Sequence, residues 1–202
     1  ENWEGGYRVP TLIRWPGTIK PGTVSNDIYS QMDMLPTLMA AAGVPDVKEQ
    51  LLKGMKVGDK TFKVHLDGYN VTDSLAGRAP DPRHEFFYFT DDGQLAALRF
   101  DQWKMVFQEQ RAHGFEAWSE PFVARRVPLI FNLRTDPFEE AQHTAMDYQH
   151  WMIDRVFLLV PAQQYVGQFL ATFKEFPPSQ KVGSFSLDAV MEQLSAPAKG
   201  SN

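Results

Sequence analysis

Trp3-Glu4-Gly5-Gly6-Tyr7-Arg8-Val9-Pro10-Thr11-Leu12-Ile13-Arg14-Trp15-Pro16-Gly17 is the stretch whose reading decides the fold. It has three parts. The Gly5-Gly6 pair supplies a backbone free to turn tightly or to approach another group closely. Residues 9–15 are β-branched and apolar and predict a strand, which Pro16-Gly17 stops. Pro10 stands near the strand start, where a sheet tolerates proline. The bland reading is a glycine turn followed by any buried strand. Such a strand needs neighbours, and an uncovered apolar edge seeks a partner. Residues 1–77 are therefore expected to be displaced, paired with a second copy, or packed on residues 85–176.

Moving outward, residues 18–30 are a polar connection with turn chemistry at Lys20-Pro21-Gly22. A helix follows. Asp33 is placed to cap it, Pro36 falls in its first turn, and Gly43 and Pro45 end it. Met34, Leu35, Leu38, Met39 and Ala42 form a stripe expected to pack into the core. Residues 46–64 read as an irregular surface excursion. Asp67-Gly68 reads as a turn leading to a short helix that stops at Gly77, with Asp67 a turn former or cap.

Arg78-Ala79-Pro80-Asp81-Pro82-Arg83 is a proline-rich break, and the composition changes after it. Residues 85–90, 94–100, 103–108 and 128–134 predict four antiparallel strands. Asp92-Gly93 is read as a type I′ pair and Asp101-Gln102 as a second tight turn. The loop over residues 109–127 is long for a hairpin connection, which marks function or mobility. Its candidates are Arg111, His113, Trp118, Arg125 and Arg126. Apolar residues recur at helical spacing through residues 141–176, with Pro161 as a kink or break. A short amphipathic piece follows at residues 187–194. The expected fold is α+β: a four-stranded antiparallel sheet covered by a long C-terminal helix, preceded by a strand-helix segment. The expected divisions are 1–80, 81–180 and a tail at 181–202.

The opening run resembles the sulfatase family, whose Trp/Tyr-Glu-Gly-Gly-x-Arg-x-Pro segment leaves the active site and enters a large central α/β sheet. Two later stretches continue the resemblance. Ala97-Leu98-Arg99-Phe100-Asp101-Gln102-Trp103-Lys104 is similar to one family motif. Ile130-Phe131-Asn132-Leu133-Arg134-Thr135-Asp136-Pro137-Phe138-Glu139 is similar to another. The resemblance implies the C-terminal part of an arylsulfatase-like enzyme of the alkaline-phosphatase superfamily, without its N-terminal catalytic half. It implies a parent that hydrolyses sulfate esters with calcium and a formylglycine. The family's sulfate-binding lysine falls just before Glu1, and its nucleophile motif needs a cysteine that these 202 residues lack. No catalytic, metal or cofactor residue is therefore assigned. Trp3, Glu4, Gly5 and Gly6 are candidates for active-site support, and His113 and Trp118 for a substrate rim. Ser184-Phe185-Ser186-Leu187-Asp188, behind Phe176-Pro177-Pro178, is similar to the tail of some bacterial arylsulfatase-like sequences. That implies a periplasmic or secreted parent, although no signal peptide is present.

Composition narrows the remaining classes. The hydrophobic share is 43%, enough for a core. Net charge is −5 with scattered Lys and Arg, which gives no nucleic-acid footprint. No apolar run reaches the roughly 18 residues that a membrane span needs. The five histidines, His65, His84, His113, His143 and His150, lack metal-helix spacing. Two alternatives stay open: a related phosphodiesterase or phosphonate hydrolase parent, and a free-standing binding module.

Overall fold

A computed structural model describes residues 2–179 and 182–184. Its centre is a four-stranded antiparallel meander, preceded by helical segments and a small hairpin and followed by further helices.

The opening glycines lie in a one-turn helix, α1 (Glu4–Tyr7), rather than in a turn, and neither takes positive φ. The predicted strand over residues 9–15 does not form. The segment is irregular, unpaired and exposed, with Leu12 99% and Val9 64% accessible. Its residue types suit a sheet, but no described strand lies beside it to supply ladder bonds.

Ser30 caps a 3-10 turn at Gln31–Asp33, and α2 (Met34–Ala41) continues from it. Asp33 occupies the capping position of α2 but makes no cap bond there, because its carboxylate is engaged elsewhere. The apolar stripe is also corrected. Leu35 and Leu38 face outward, at 50% and 65% accessible, and the buried face is Pro36 and Thr37. Thr37 Oγ1 accepts from Val71 N, and that bond turns this face toward residues 69–71.

Residues 46–64 are more ordered than expected. They form α3 (Val47–Lys53) and a hairpin of β1 (Met55–Val57) with β2 (Lys60–Phe62). Gly68 is required where it stands, since a Cβ there would lie 2.0 Å from the Met32 carbonyl oxygen. The short helix α4 (Thr72–Leu75) ends at Gly77 as predicted. Asp67 does not cap it; the carboxylate pairs with His65 instead, and Asn70 supplies the turn bond to Thr72 N.

The meander comprises β3 (Glu85–Phe89), β4 (Leu95–Phe100), β5 (Trp103–Glu109) and β6 (Val123–Asn132), in that order. At the first hairpin only Gly93 takes positive φ, at 74°. The type I′ pair is therefore not made, and Thr90 to Gly93 close the loop instead. β6 begins at Val123, five residues earlier than predicted for residues 128–134. Period-two alternation sorts the strands cleanly. Leu98, Met105 and Ile130 are register partners on one face, where α7 (Leu159–Thr172) contributes Ala162. Ala97, Val106 and Leu129 are partners on the other, where Tyr148 and Trp3 pack. Each fully buried Leu or Ile contributes ~1.5–3 kcal/mol.

The predicted helix over residues 141–176 divides into α5 (Ala141–Thr144), α6 (Tyr148–Ile153), a 3-10 turn and α7 (Leu159–Thr172). Pro161 sits in the first turn of α7, where no intrahelical N–H is needed. The amphipathic piece at residues 187–194 lies outside the described residues.

Candidate functional site

The two-residue connection Asp101-Gln102 makes Phe100 and Trp103 partners, and so makes Arg99 and Lys104 partners in the next pair outward. Two cations opposite each other on one face repel. The carboxylate of Glu4 resolves this. It lies 3.3 Å from Arg99 Nη1 and 3.2 Å from Lys104 Nζ. Glu139 adds a second carboxylate, 2.7 Å from the same Nζ. Lys104 is fully buried, and Glu4 and Glu139 are nearly so.

The cluster also grips the backbone. Lys104 donates to the Asn2 carbonyl at 2.7 Å, and Glu4 N donates to Glu139 Oε2 at 2.6 Å. Tyr88 donates its hydroxyl to Glu4. Burial and the neighbouring Glu4 charge push the Tyr88 phenol far up, so it stays a neutral donor. Burial also raises the Glu139 carboxyl above its usual value, with Lys104 pulling the other way. Glu139 holds φ at +58°, an uncommon conformation for a residue with a side chain, and its bonds to Lys104 and Glu4 keep it there. Asp136 caps the same turn, accepting from Glu140 N and Ala141 N.

The three stretches singled out in the sequence therefore meet in one buried cluster. Its carboxylates are paired with Lys104 and Arg99, an arrangement that fixes geometry. Among the described residues no group of three or more His, Asp or Glu is placed to hold a metal ion.

The candidate residues are placed as follows. Trp3 packs edge-on to Phe131, with centroids 6.2 Å apart, and donates Nε1–H to the Gln110 carbonyl at 3.3 Å. Glu4 is the centre of the cluster. An added Cβ at Gly5 or Gly6 would meet nothing within 4 Å, so their backbone faces open space. His113 is exposed at the start of a 3-10 turn, Gly114–Trp118, and Trp118 is 84% accessible. Neither touches Glu4, but both belong to the loop that Gln110 anchors. Gln110 N donates to Asn2 Oδ1, and Gln110 Nε2 donates to the carbonyls of Ala117 and Glu120. Arg111 and Arg125 are both taken up by Glu109, while Arg126 is exposed.

Sequence reasoning missed Gln110, which has no motif around it. It also missed Arg83, which lies in the proline-rich break yet is buried. Arg83 pairs with Asp33 at 2.5 Å and donates to the carbonyls of Asp67 and Glu85, so it ties residues on both sides of the break.

A family model described as sulfatase matches residues 1–44. A second, described as the C-terminal region of aryl-sulfatase, matches residues 81–197. Arylsulfatase of Hemicentrotus pulcherrimus is 29% identical over 158 residues, covering 68% of this chain and 26% of its own length. Human arylsulfatase A is 31% identical over 148 residues, with coverage of 68% and 26%. Mouse steryl-sulfatase is 32% identical over 154 residues, with coverage of 68% and 22%. The chain thus spans about a quarter of the length of the curated relatives it matches. The solved PsFucS1 sulfatase from Pseudoalteromonas sp. shares the fold, with a TM-score of 0.59 at 22% identity over 84% of this chain and 30% of that one. The match of the C-terminal model over residues 81–197, more than half of the chain, leads to one conclusion: the chain belongs to the sulfatase family and corresponds to its C-terminal region.

Proposed function

We propose that this chain serves a sulfate-ester hydrolase of arylsulfatase type, as the part that holds one wall of the active site rather than the part that does the chemistry. The single observation carrying this reading is the buried grip of Lys104, Glu139 and Tyr88 on residues 2–4. A cluster this thoroughly paired is worth its desolvation cost where a fixed position is needed.

Gln110 extends the same grip to the loop bearing His113 and Trp118, which supports the reading of that loop as a substrate rim. The metal and the formylglycine of such a parent are proposed to be held by residues outside this chain, which carries neither Cys-x-Pro-x-Arg nor Ser-x-Pro-x-Arg. Calcium is the ion proposed, and a bacterial periplasmic or secreted parent is the setting proposed. Among the described residues no helix is long and apolar enough to cross a membrane. Residues 1–80 are proposed as the end of the catalytic core, residues 81–180 as a small-sheet subdomain, and 181–202 as a tail.

The test begins with the gene upstream of the Glu1 codon. A reading frame encoding Cys-x-Pro-x-Arg (or Ser for Cys), with a lysine just before Glu1, supports the proposal. Its product should hydrolyse p-nitrophenyl sulfate, and the 202-residue chain alone should not. A threonine or serine nucleophile in a different motif, with turnover of a phosphodiester or phosphonate ester instead, overturns it.

A further inference from the structure

Residues 8–15 run without a turn or bend from the end of α1 to Pro16-Gly17, and residues 9–14 are all exposed. Among the described residues no backbone amide or carbonyl from Val9 to Arg14 has a hydrogen-bond partner. Tyr7 is the last residue of the stretch to touch the sheet, through the Phe89 carbonyl and the rings of Phe86 and Tyr88. The segment is therefore a straight, apolar, unpaired edge, and such an edge recruits another strand.

Its sequence selects which edge pairs. In an extended strand, successive residues turn their amides and carbonyls to opposite edges. Pro10 has no N–H, so the edge of Pro10, Leu12 and Arg14 is incomplete. The edge of Val9, Thr11, Ile13 and Trp15 has every donor.

The sequence also selects a register. Paired antiparallel with itself and centred on Leu12, the segment sets Leu12 against Leu12, Thr11 against Ile13 and Val9 against Trp15. Each Arg14 then faces Pro10, and each Arg8 faces Pro16, so no cation opposes a cation. Centring on Thr11 would set Arg8 against Arg14. Centring on Ile13 would set Arg14 against Leu12 and Val9 against Gly17.

We propose that residues 9–15 pair with the same residues of a second copy of this chain, antiparallel about a two-fold axis at Leu12. The Thr11–Ile13 pairs form the centre of the ladder. At its ends Trp15 N–H reaches the Val9 carbonyl, since the Trp15 carbonyl already accepts from Thr18 N and Ile19 N. The contact is isologous and closes on itself, and Pro10 blunts the outer edge, so the product is a dimer and not a fibre. One short ladder makes a small interface, and the dimer is accordingly weak and concentration-dependent.

The absence of cysteine makes single-cysteine cross-linking a clean test. In the proposed register the two Leu12 Cα atoms lie about 4.5 Å apart, within disulfide reach. Thr11 and Arg14 stand two and four residues out of register with their own copies, beyond that reach. Leu12→Cys should therefore oxidise to a linked dimer roughly tenfold faster than Thr11→Cys or Arg14→Cys. All three positions are exposed, so none of these variants disturbs the core. In the unaltered chain, sedimentation should show the mass moving from one copy toward two as concentration rises. Over the same range the amides of Thr11, Ile13 and Trp15 should pass from fast to slow hydrogen exchange, while those of Leu12 and Arg14 stay fast. Equal cross-linking at the three positions, a mass independent of concentration, or protection on the Leu12–Arg14 edge would overturn the proposal. A monomer at every concentration, with the segment protected only in a product extended upstream of Glu1, would overturn it too and assign the segment to the rest of the parent.

Discussion

Residues 9–15 and strand β4 are written in much the same alphabet and end in opposite states. Both mix apolar residues with a single arginine, Arg14 in one and Arg99 in the other. In β4, Ala96, Ala97 and Leu98 are fully buried, with β3 on one side and β5 on the other. In residues 9–15, Leu12 is almost fully exposed and no described strand lies alongside. The difference teaches that strand-forming residues record fitness for a pleated, half-buried surface and not a backbone preference. β4 has its neighbours within 10 residues of chain on each side, joined by tight turns. Residues 9–15 have no hairpin partner, since Pro16-Gly17 and Lys20-Pro21-Gly22 lead into an exposed connection.

The sharpest way to break this contrast is at the cluster that fastens the start of the chain to the sheet. Lys104→Ala leaves Glu4 and Glu139 buried with Arg99 as the remaining cation, and should cost about 3–5 kcal/mol in denaturant unfolding. A loss below about 1 kcal/mol would mean that the cluster relaxes or hydrates freely. Next in size is Leu98→Ala, at the middle of β4, expected to cost about 2–5 kcal/mol by the same measurement. Gly68→Ala forces a Cβ into the Met32 backbone and should cost about 1–3 kcal/mol.

A smaller effect concerns pH. The Glu139 carboxyl is raised in the folded state, chiefly by burial, so the folded chain takes up that proton at higher pH than the unfolded chain does. Its contribution to stability therefore grows as pH falls through the raised value and levels off below the ordinary 4.5. Glu139→Gln should flatten that part of the stability-versus-pH curve, and an unchanged curve would show that Glu139 titrates normally. Smallest of all, Leu12→Ser should change stability by less than about 0.5 kcal/mol, against the large loss for Leu98→Ala. Hydrogen exchange gives the same contrast without mutation, with slow amides at residues 96–98 and fast ones at 9–14.

Much of the small sheet was legible because its information is local. The alternation in residues 85–108, the Asp-Gly and Asp-Gln turns and the helical stripe beyond residue 158 each act within a few residues of themselves. The turn type at Gly93, the early start of β6 and the place of the breaks in the C-terminal helix, which fall before Pro161 and not at it, escaped, since each depends on what packs against it. The exposed face of α2 escaped for the same reason: a stripe at helical spacing says that a face is apolar and not what covers it.

The candidate site divides in a similar way. Glu4, Arg99, Lys104 and Glu139 all stand in stretches that the sequence marks, and their chemistry alone calls for partners. Their pairing could not be read from the chain, because Glu4 lies 100 residues from Lys104, and only the folded sheet brings the two to 3.2 Å. Gln110 and Arg83 carry no mark at all. A glutamine in a loop and an arginine among prolines are ordinary surface residues until the fold buries them. The sequence by itself determined the meander and the place of its turns, since periodicity and turn residues act over short spans, and its three motif stretches carried the resemblance to the sulfatase family. The tertiary structure alone decided which charges neutralise one another and which apolar stretch stays uncovered, because Coulomb energy and burial depend on distance in space and not along the chain.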